Sequence, residues 1–211
     1  MGSPSDSFAV DLALVLAVDC SSSVKAEDFR LQMDGIAAAL RHPALQGAIA
    51  AGEHRRIALS LVLWSGLQAQ AVSVDWRVLQ SRAELDRAAI EIETAERKWL
   101  TGGTALAAAI TYAADWVAAF PLTATRRVID VSGDGPDNVT GDTAAARDRA
   151  VARGITINGL PVTNGSKLLP LYYRSQVIGG DGAFIETAEN MHAFHDAILR
   201  KLLREIGHPG V

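Results

Sequence analysis

The pattern of apolar and polar residues begins with a nearly continuous apolar run over residues 8–18. A run of this kind, without regular polar positions, is typical of a strand that is buried on both faces, as in a parallel sheet. A polar loop follows at residues 19–23. Residues 25–41 then carry apolar side chains at helical spacing, and Pro43 is expected to end that helix.

The same succession of strands and amphipathic helices continues along the rest of the chain. Further strands are predicted over residues 56–64, 70–76, 127–131, 155–160 and 182–187. Further helices are predicted over residues 81–97, 105–120, 142–153 and 189–206, with a short helical or irregular piece over 168–174. Because residues 70–76 alternate between apolar and polar positions, they are expected to form a half-exposed strand after a hairpin through Ser65-Gly66.

Strands that alternate with helices predict an α/β fold with a doubly wound, mainly parallel sheet and helices on both faces, a Rossmann-like architecture. Residues 70–76 are expected to form one antiparallel edge strand. A chain of 211 residues, 49% of them hydrophobic and 21% charged, is long enough to bury one substantial core. We predict one domain over residues 8–207, between a disordered leader at residues 1–7 and a tail at residues 208–211.

Composition narrows the range of partners. The chain has 20 basic and 24 acidic residues, a formal net charge of −4 and no basic run, so no nucleic-acid partner is expected.

Cys20 is the single cysteine, which excludes an intramolecular disulfide and a cysteine zinc cluster. No apolar run approaches the roughly 20 residues of a membrane-spanning helix, so no membrane span is predicted. Residues 1–7 lack the basic start of a secretory signal.

Three polar loops are predicted at or near the carboxyl edge of the sheet, where ligands bind in such folds. They cover residues 19–23, 101–104 and 132–135, and together they hold carboxylates and hydroxyls without a set of cysteine or histidine ligands. Hard oxygen ligands favour Mg²⁺, Ca²⁺ or Mn²⁺ over zinc or copper. The small number of protein ligands fits Mg²⁺, which usually keeps several of its waters.

Three short motifs occupy these loops: Asp19-x-Ser21-x-Ser23, Thr104 after Gly102-Gly103, and Asp134-Gly135. Their order and spacing resemble the metal-ion-dependent adhesion site (MIDAS) of von Willebrand factor type A (vWA) domains. The amino-acid sequence of residues 128–138 is similar to that of a bacterial subgroup of vWA-like proteins, the DUF1194 type. Members of this subgroup often carry signal peptides. The resemblance covers essentially the whole chain, implies a vWA fold, and favours an extracytoplasmic or periplasmic location.

The resemblance implies a role for each of five residues. Ser21 Oγ and Ser23 Oγ would coordinate the metal directly, and Thr104 Oγ1 would do so directly or through water. Asp19 and Asp134 would hold the ion largely through water and hydrogen bonds. One position on the metal, Mg²⁺ with Mn²⁺ or Ca²⁺ as alternatives, would stay open for an Asp or Glu carboxylate of a partner protein. The implied function is cation-dependent protein binding.

Some features leave alternatives open. The third loop reads Ser-Gly-Asp-Gly where many family members have Thr-Asp-Gly, so the role of Ser132 is undecided, and Asp137 and Asn138 are candidate rim contacts. A metal-dependent hydrolase or enzyme accessory, or a metal-carrying or metal-sensing protein, would use the same oxygen-rich loops. The chain has no Gly-x-Ser-x-Gly elbow and no phosphate-binding Gly-x-x-x-x-Gly-Lys motif, so no catalytic residue and no enzymatic activity are predicted.

Overall fold

The computed structural model describes residues 8–139 and 141–207 of the chain. The strands are β1 Val10–Asp19, β2 Ile57–Trp64, β3 Gln70–Leu79, β4 Ala124–Gly133 and β5 Ile155–Pro161. The helices are α1 Ala26–Arg41, α2 Pro43–Ala50, α3 Arg82–Glu93, α4 Leu106–Ala118, α5 Thr143–Val151, α6 Leu169–Tyr172 and α7 Phe194–Ile206. A π-helix, Tyr173–Val177, continues α6, and a 3-10 turn, Met191–Ala193, precedes α7. The leader and tail predicted at residues 1–7 and 208–211 lie outside the described residues.

The five strands form one sheet in the order β3-β2-β1-β4-β5. The strands β2, β1, β4 and β5 run parallel, and β3 pairs antiparallel with β2 at one edge. Helices α1, α2, α3 and α7 pack on one face, whereas α4, α5 and the π-helix pack on the other. The predicted fold class is therefore confirmed, including its single antiparallel edge strand.

The central strand β1 explains the long apolar run near the start of the chain. All but one of its ten residues are buried. Leu12, Leu14 and Leu16 pack into the core beneath α1 and α7, whereas the intervening Ala13 and Val15 pack into the core beneath α4. Burying a leucine or valine side chain stabilises the fold by about 1.5–3 kcal/mol, so both faces of β1 favour apolar residues.

The prediction for Pro43 is incomplete, because the residue also begins a helix that the sequence analysis missed. Pro43 is the first residue of α2, which follows α1 after His42. His42 Nδ1 accepts a hydrogen bond from the Ala44 N–H at 3.2 Å and caps α2. Proline is tolerated in a first helical turn because the N–H that it lacks would have no intrahelical partner there.

The strand predicted over residues 182–187 is wrong. Within this segment only Ile185 forms a bridge, an isolated one with Gly159 of β5, and a second isolated bridge joins Val162 to Ala188 just after it. Gly182, the first residue of the segment, has a φ of 65°, so the backbone turns there instead of continuing as an extended strand. In the described part of the chain, every helix is too short or too polar to span a lipid bilayer.

Candidate metal centre

The carboxyl ends of β1 and β4 bring the first and third loops together. The two strands are parallel neighbours, with Val18 opposite Ser132. Their last residues, Asp19 and Gly133, therefore lie at the same edge of the sheet. This is the edge at which open parallel sheets bind their ligands.

The first loop turns its serine hydroxyls toward each other. Asp19 Oδ1 accepts a hydrogen bond from the Ser21 backbone N–H at 2.7 Å, which closes a tight turn directly after β1. Ser21 Oγ lies 3.2 Å from Ser23 Oγ. Asp19 and Ser21 are buried, whereas Ser23 is exposed, so this set of oxygens reaches from the interior to the surface.

The third loop adds a carboxylate to this pair of hydroxyls. Ser23 Oγ donates a hydrogen bond of 2.7 Å to Asp134 Oδ1. The buried Thr104 approaches from the second loop, since its Oγ1 lies 3.8 Å from the point that a Cβ on Gly135 would occupy. The structure therefore joins Asp19, Ser21, Ser23 and Asp134 by hydrogen bonds and short distances, and it places the fifth predicted residue, Thr104, beside Gly135 in the third loop.

Two glycines allow the second loop to pack closely between its neighbours. Gly102 has a φ of 126°, and a Cβ there would lie 2.5 Å from Ser65 Oγ. A Cβ on Gly103 would lie 2.6 Å from Val139 Cγ2. A side chain at either position would displace the loop. The Ser22 N–H donates to Gly102 O at 3.1 Å and connects the second loop to the first.

Asp137 and Asn138 hold the loops in place through backbone groups. Asp137 accepts hydrogen bonds from the N–H groups of Ala107 and Val139, each at 2.9 Å, which places its carboxylate at the amino end of α4. The helix dipole favours a negative charge there. Asn138 Oδ1 accepts from the Thr104 N–H at 2.8 Å, and the Asn138 N–H donates to Thr104 O at 3.0 Å. These bonds fix Thr104 against the third loop.

Sequence analysis missed Arg97, which supports the first loop. Its Nη2 donates to Ser21 O at 2.8 Å and to Cys20 O at 3.2 Å. The helix predicted over residues 81–97 ends at Glu93, so Arg97 lies in the irregular segment that leads to the second loop. Its support of the first loop depends on this long-range contact, and no local pattern in the sequence indicates such a contact.

Asp19 is the most perturbed group of the cluster. Its side chain is completely buried, and burial raises the pKa of its carboxyl to about 7, although the N–H and hydroxyl of Ser21 lower it. Asp19 Oδ2 has no hydrogen-bond partner among the described residues. A buried carboxylate without full compensation is unfavourable, and a nearby cation would remove that penalty.

The donor set fits a hard divalent cation. No group of three or more His, Cys, Asp or Glu side chains comes together within residues 8–139 and 141–207. A cation at this cluster would therefore be held by serine and threonine hydroxyls together with two carboxylates. Such oxygen ligands are those that Mg²⁺, Ca²⁺ and Mn²⁺ prefer, and the unpartnered Asp19 Oδ2 is consistent with a positive charge nearby.

The sequence profile of the family described as "Protein of unknown function (DUF1194)" matches residues 9–210. The chain belongs to the DUF1194 family. No functionally curated protein sequence matches the chain.

Solved structures show that this DUF1194 protein has a vWA fold. Proximal thread matrix protein 1 from the mussel byssus is similar with a TM-score of 0.69 at 13% identity, over 93% of this chain and 48% of that chain. Another structure of the mussel protein, with a zinc-occupied MIDAS motif, has a TM-score of 0.63 at 14% identity, over 95% of this chain and 46% of that chain. A von Willebrand factor type A structure from Catenulispora acidiphila has a TM-score of 0.62 at 14% identity, over 94% of this chain and 43% of that chain.

A pilus adhesin, SpaC from Lactobacillus rhamnosus GG, is also similar, with a TM-score of 0.62 at 12% identity, over 93% of this chain and 30% of that chain. The DUF1194 chain thus spans less than half the length of each of these proteins. At such low identities the likeness establishes the fold alone. Metal binding by the five clustered residues stays a prediction.

Proposed function

We propose that this DUF1194 protein is a cation-dependent protein-binding module, in which a divalent cation at the candidate centre recognises an Asp or Glu side chain of a partner protein. The observation that carries the proposal is the meeting of two loops: Ser23 Oγ lies 2.7 Å from Asp134 Oδ1 and 3.2 Å from Ser21 Oγ. Hard oxygen donors from two neighbouring strand ends are thereby gathered where such folds bind ligands.

Each clustered residue has a role in this proposal. Ser21 Oγ and Ser23 Oγ bind the cation directly, and Thr104 Oγ1 binds it directly or through water. Asp19 and Asp134 hold it through water and hydrogen bonds. We propose Mg²⁺, with Mn²⁺ and Ca²⁺ as alternatives, because these cations prefer oxygen ligands. The zinc-occupied MIDAS motif of the mussel protein, which shares the fold, supports a divalent cation as the ligand.

The bound cation would supply a positive charge that an outside carboxylate can approach. Neutral hydroxyl ligands do not cancel that charge, so an anionic side chain of a partner is attracted to it. The similar proteins include a byssus matrix protein and a pilus adhesin, which supports a protein as the partner.

The proposal assigns binding, and not turnover, to this centre. Hydrolysis assisted by a metal requires a base that can take a proton from the attacking water. Asp137, the acidic residue that follows the Asp134 loop, instead accepts hydrogen bonds from Ala107 and Val139. Phosphatase and esterase assays with and without Mg²⁺ test the alternative, and turnover that Asp19→Ala abolishes would replace binding with catalysis as the function.

The first experiment is a calorimetric titration of Mg²⁺ and of Mn²⁺ into metal-stripped protein. We expect the wild type to bind one cation, and Asp19→Ala and the double variant Ser21→Ala/Ser23→Ala to bind none while their circular dichroism spectra stay native. Ser22→Ala is the matched control, because Ser22 lies between the two serines with an exposed side chain. Unchanged cation affinity in a folded Asp19→Ala protein would contradict the proposal.

The second experiment tests recognition of the partner carboxylate. Immobilised protein should retain a partner in Mg²⁺ and release it when EDTA is added, and Asp19→Ala should retain none. Replacing the acidic residue of the captured partner with its amide should abolish retention. Retention that persists in EDTA, or that survives loss of every acidic side chain at the contact, would contradict the proposal.

A further inference from the structure

Tyr173, the first residue of the π-helix, places a hydroxyl in the core behind the first loop. Its side chain is completely buried, and its hydroxyl has no hydrogen-bond partner among the described residues. Asp19 Oδ2 is also buried without a partner there. The Tyr173 hydroxyl oxygen and Asp19 Oδ2 lie 3.0 and 3.1 Å from one point, the position that a Cβ on Gly133 would occupy.

Two glycines on adjacent strands make room for the Tyr173 side chain. A Cβ on Gly159 of β5 would lie 2.6 Å from Tyr173 Cδ1, and a Cβ on Gly133 of β4 would lie 3.0 Å from the hydroxyl oxygen. The ring therefore lies across β5 and β4, and its hydroxyl comes close to Gly133 at the end of β4, the strand beside the β1 end that carries Asp19. Helical segments of the π type are found disproportionately at functional sites.

Two polar atoms that are buried without partners and face the same point need an explanation. A buried hydroxyl or carboxylate oxygen is unfavourable when it makes no hydrogen bond. Burial, together with the nearby charges of Asp19 and Asp134, raises the pKa of Tyr173 well above its ordinary value. The hydroxyl therefore keeps its proton and is a donor, and a carboxylate oxygen is an acceptor.

We propose that Tyr173 is a positioning residue of the candidate centre, whose O–H donates to Asp19 Oδ2 directly or through one water. This inference rests on the proposed function. Asp19 Oδ1 is already held by the Ser21 N–H at 2.7 Å. A donor on Oδ2 fixes the orientation of the whole carboxylate, and hydrogen bonds of this kind to a metal-holding group increase metal affinity.

The neighbouring Tyr172 shows what is particular to Tyr173. The Tyr172 hydroxyl accepts from the Asp137 N–H at 3.2 Å and lies 2.9 Å from Thr143 Oγ1, so its hydrogen bonds are made within the third loop and α5. The Tyr173 hydroxyl instead lies beside the Gly133 position, where Asp19 Oδ2 is the next nearest atom.

The test compares Tyr173→Phe with the wild type by calorimetric titration of Mg²⁺ into metal-stripped protein. We expect Tyr173→Phe to bind Mg²⁺ about tenfold or more weakly, while its circular dichroism spectrum stays native, because the ring still fills its place. Tyr112→Phe makes the same chemical change in α4, on a partly exposed residue, and should leave the affinity unchanged. Equal Mg²⁺ affinity in Tyr173→Phe and the wild type would overturn the inference.

A second readout does not need a metal. In the metal-free wild type, we expect a slowly exchanging hydroxyl proton in the NMR spectrum that is absent from Tyr173→Phe and shifted in Asp19→Asn. A Tyr173 hydroxyl signal that Asp19→Asn leaves in place would overturn the hydrogen bond. A wild type that binds no Mg²⁺ would overturn the proposed function, and the NMR result alone would then decide whether Tyr173 holds Asp19.

Discussion

Ser23 and Asp134 are 111 positions apart in the chain, yet a hydrogen bond of 2.7 Å joins Ser23 Oγ to Asp134 Oδ1. The bond connects the loop after β1 to the loop after β4. Because it lies at the surface, it adds only about 0.5–1.5 kcal/mol to the stability of the fold. Its main consequence is geometric, since it holds a hydroxyl and a carboxylate of the candidate centre side by side.

Ser23→Ala should therefore affect cation binding more than folding. We expect Mg²⁺ affinity to fall at least about tenfold, because the proposed direct ligand and its link to Asp134 are lost together. The free energy of unfolding should change by no more than about 1.5 kcal/mol. Calorimetry and urea unfolding measure the two quantities. Ser23→Thr keeps the hydroxyl and should recover part of the affinity, whereas full affinity in Ser23→Ala would exclude Ser23 as a ligand.

The parts of the site at strand ends could be predicted from the sequence, because a buried strand is visible as an apolar run. Asp19 stands where such a run stops, and Asp134 follows another. Arg97 and Tyr173 could not be predicted. Arg97 reaches Ser21 across 76 positions of the chain, and such an approach depends on packing between distant segments, which leaves no local pattern.

The same distinction explains the errors in the predicted fold. The pattern over residues 182–187 favoured a strand, but pairing depends on the neighbouring β5, and the chain forms only isolated bridges there. Pro43 marks a boundary correctly, yet proline is compatible both with the end of one helix and with the first turn of the next. The sequence alone could not decide between these.

Gly159→Ala should destabilise the protein, because its Cβ would lie 2.6 Å from Tyr173 Cδ1. Overpacking of this kind typically costs about 1–3 kcal/mol. Gly47→Ala is the matched control, since a Cβ on Gly47 in α2 meets nothing within 4 Å, and we expect it to stabilise the helix by about 0.5–1 kcal/mol. Urea unfolding of both variants measures the difference, and a neutral Gly159→Ala would mean that Tyr173 can shift freely.

A buried group of charges connects α7 to the sheet. Lys201 Nζ lies 2.8 Å from Asp130 Oδ1 on β4 and 3.1 Å from Glu205 Oε2, and all three side chains are almost completely buried. Asn158 Nδ2 donates to Glu205 Oε1 at 2.6 Å. Burial lowers the pKa of Lys201, but the charges of Asp130 and Glu205 outweigh it and raise that pKa overall. The ammonium group therefore stays charged between the two carboxylates.

Lys201→Met should be severely destabilising, because it leaves two buried acidic side chains in the core without their cation. Removing one partner of a buried ion pair typically costs about 3–5 kcal/mol. Arg200→Met is the control, since Arg200 forms a surface ion pair with Glu186 at 2.8 Å, and such pairs contribute about 0–1 kcal/mol. The measurement is urea unfolding at pH 7. Equal effects of the two substitutions would contradict the inferred importance of this buried group.

The raised pKa of the buried Asp19 predicts that cation binding is coupled to protons. Burial raises the pKa of its carboxyl from 3.8 to about 7 in the protein without a cation. Between those values the folded chain holds this proton more tightly than the unfolded chain does. The contribution of Asp19 to the free energy of unfolding is therefore fully present below about pH 4 and falls as the pH rises toward 7.

The affinity for Mg²⁺ should change in the opposite direction, because a protonated Asp19 carries no charge to attract the cation. We expect the affinity to rise by up to about tenfold per pH unit between pH 5 and 7 and to level off above that range. Asp19→Asn should remove the slope in unfolding free energy and leave only weak, pH-independent cation binding. Calorimetry and urea unfolding at matched pH values measure both slopes. Affinity that is constant from pH 5 to 8 in the wild type would show that Asp19 is not coupled to the cation.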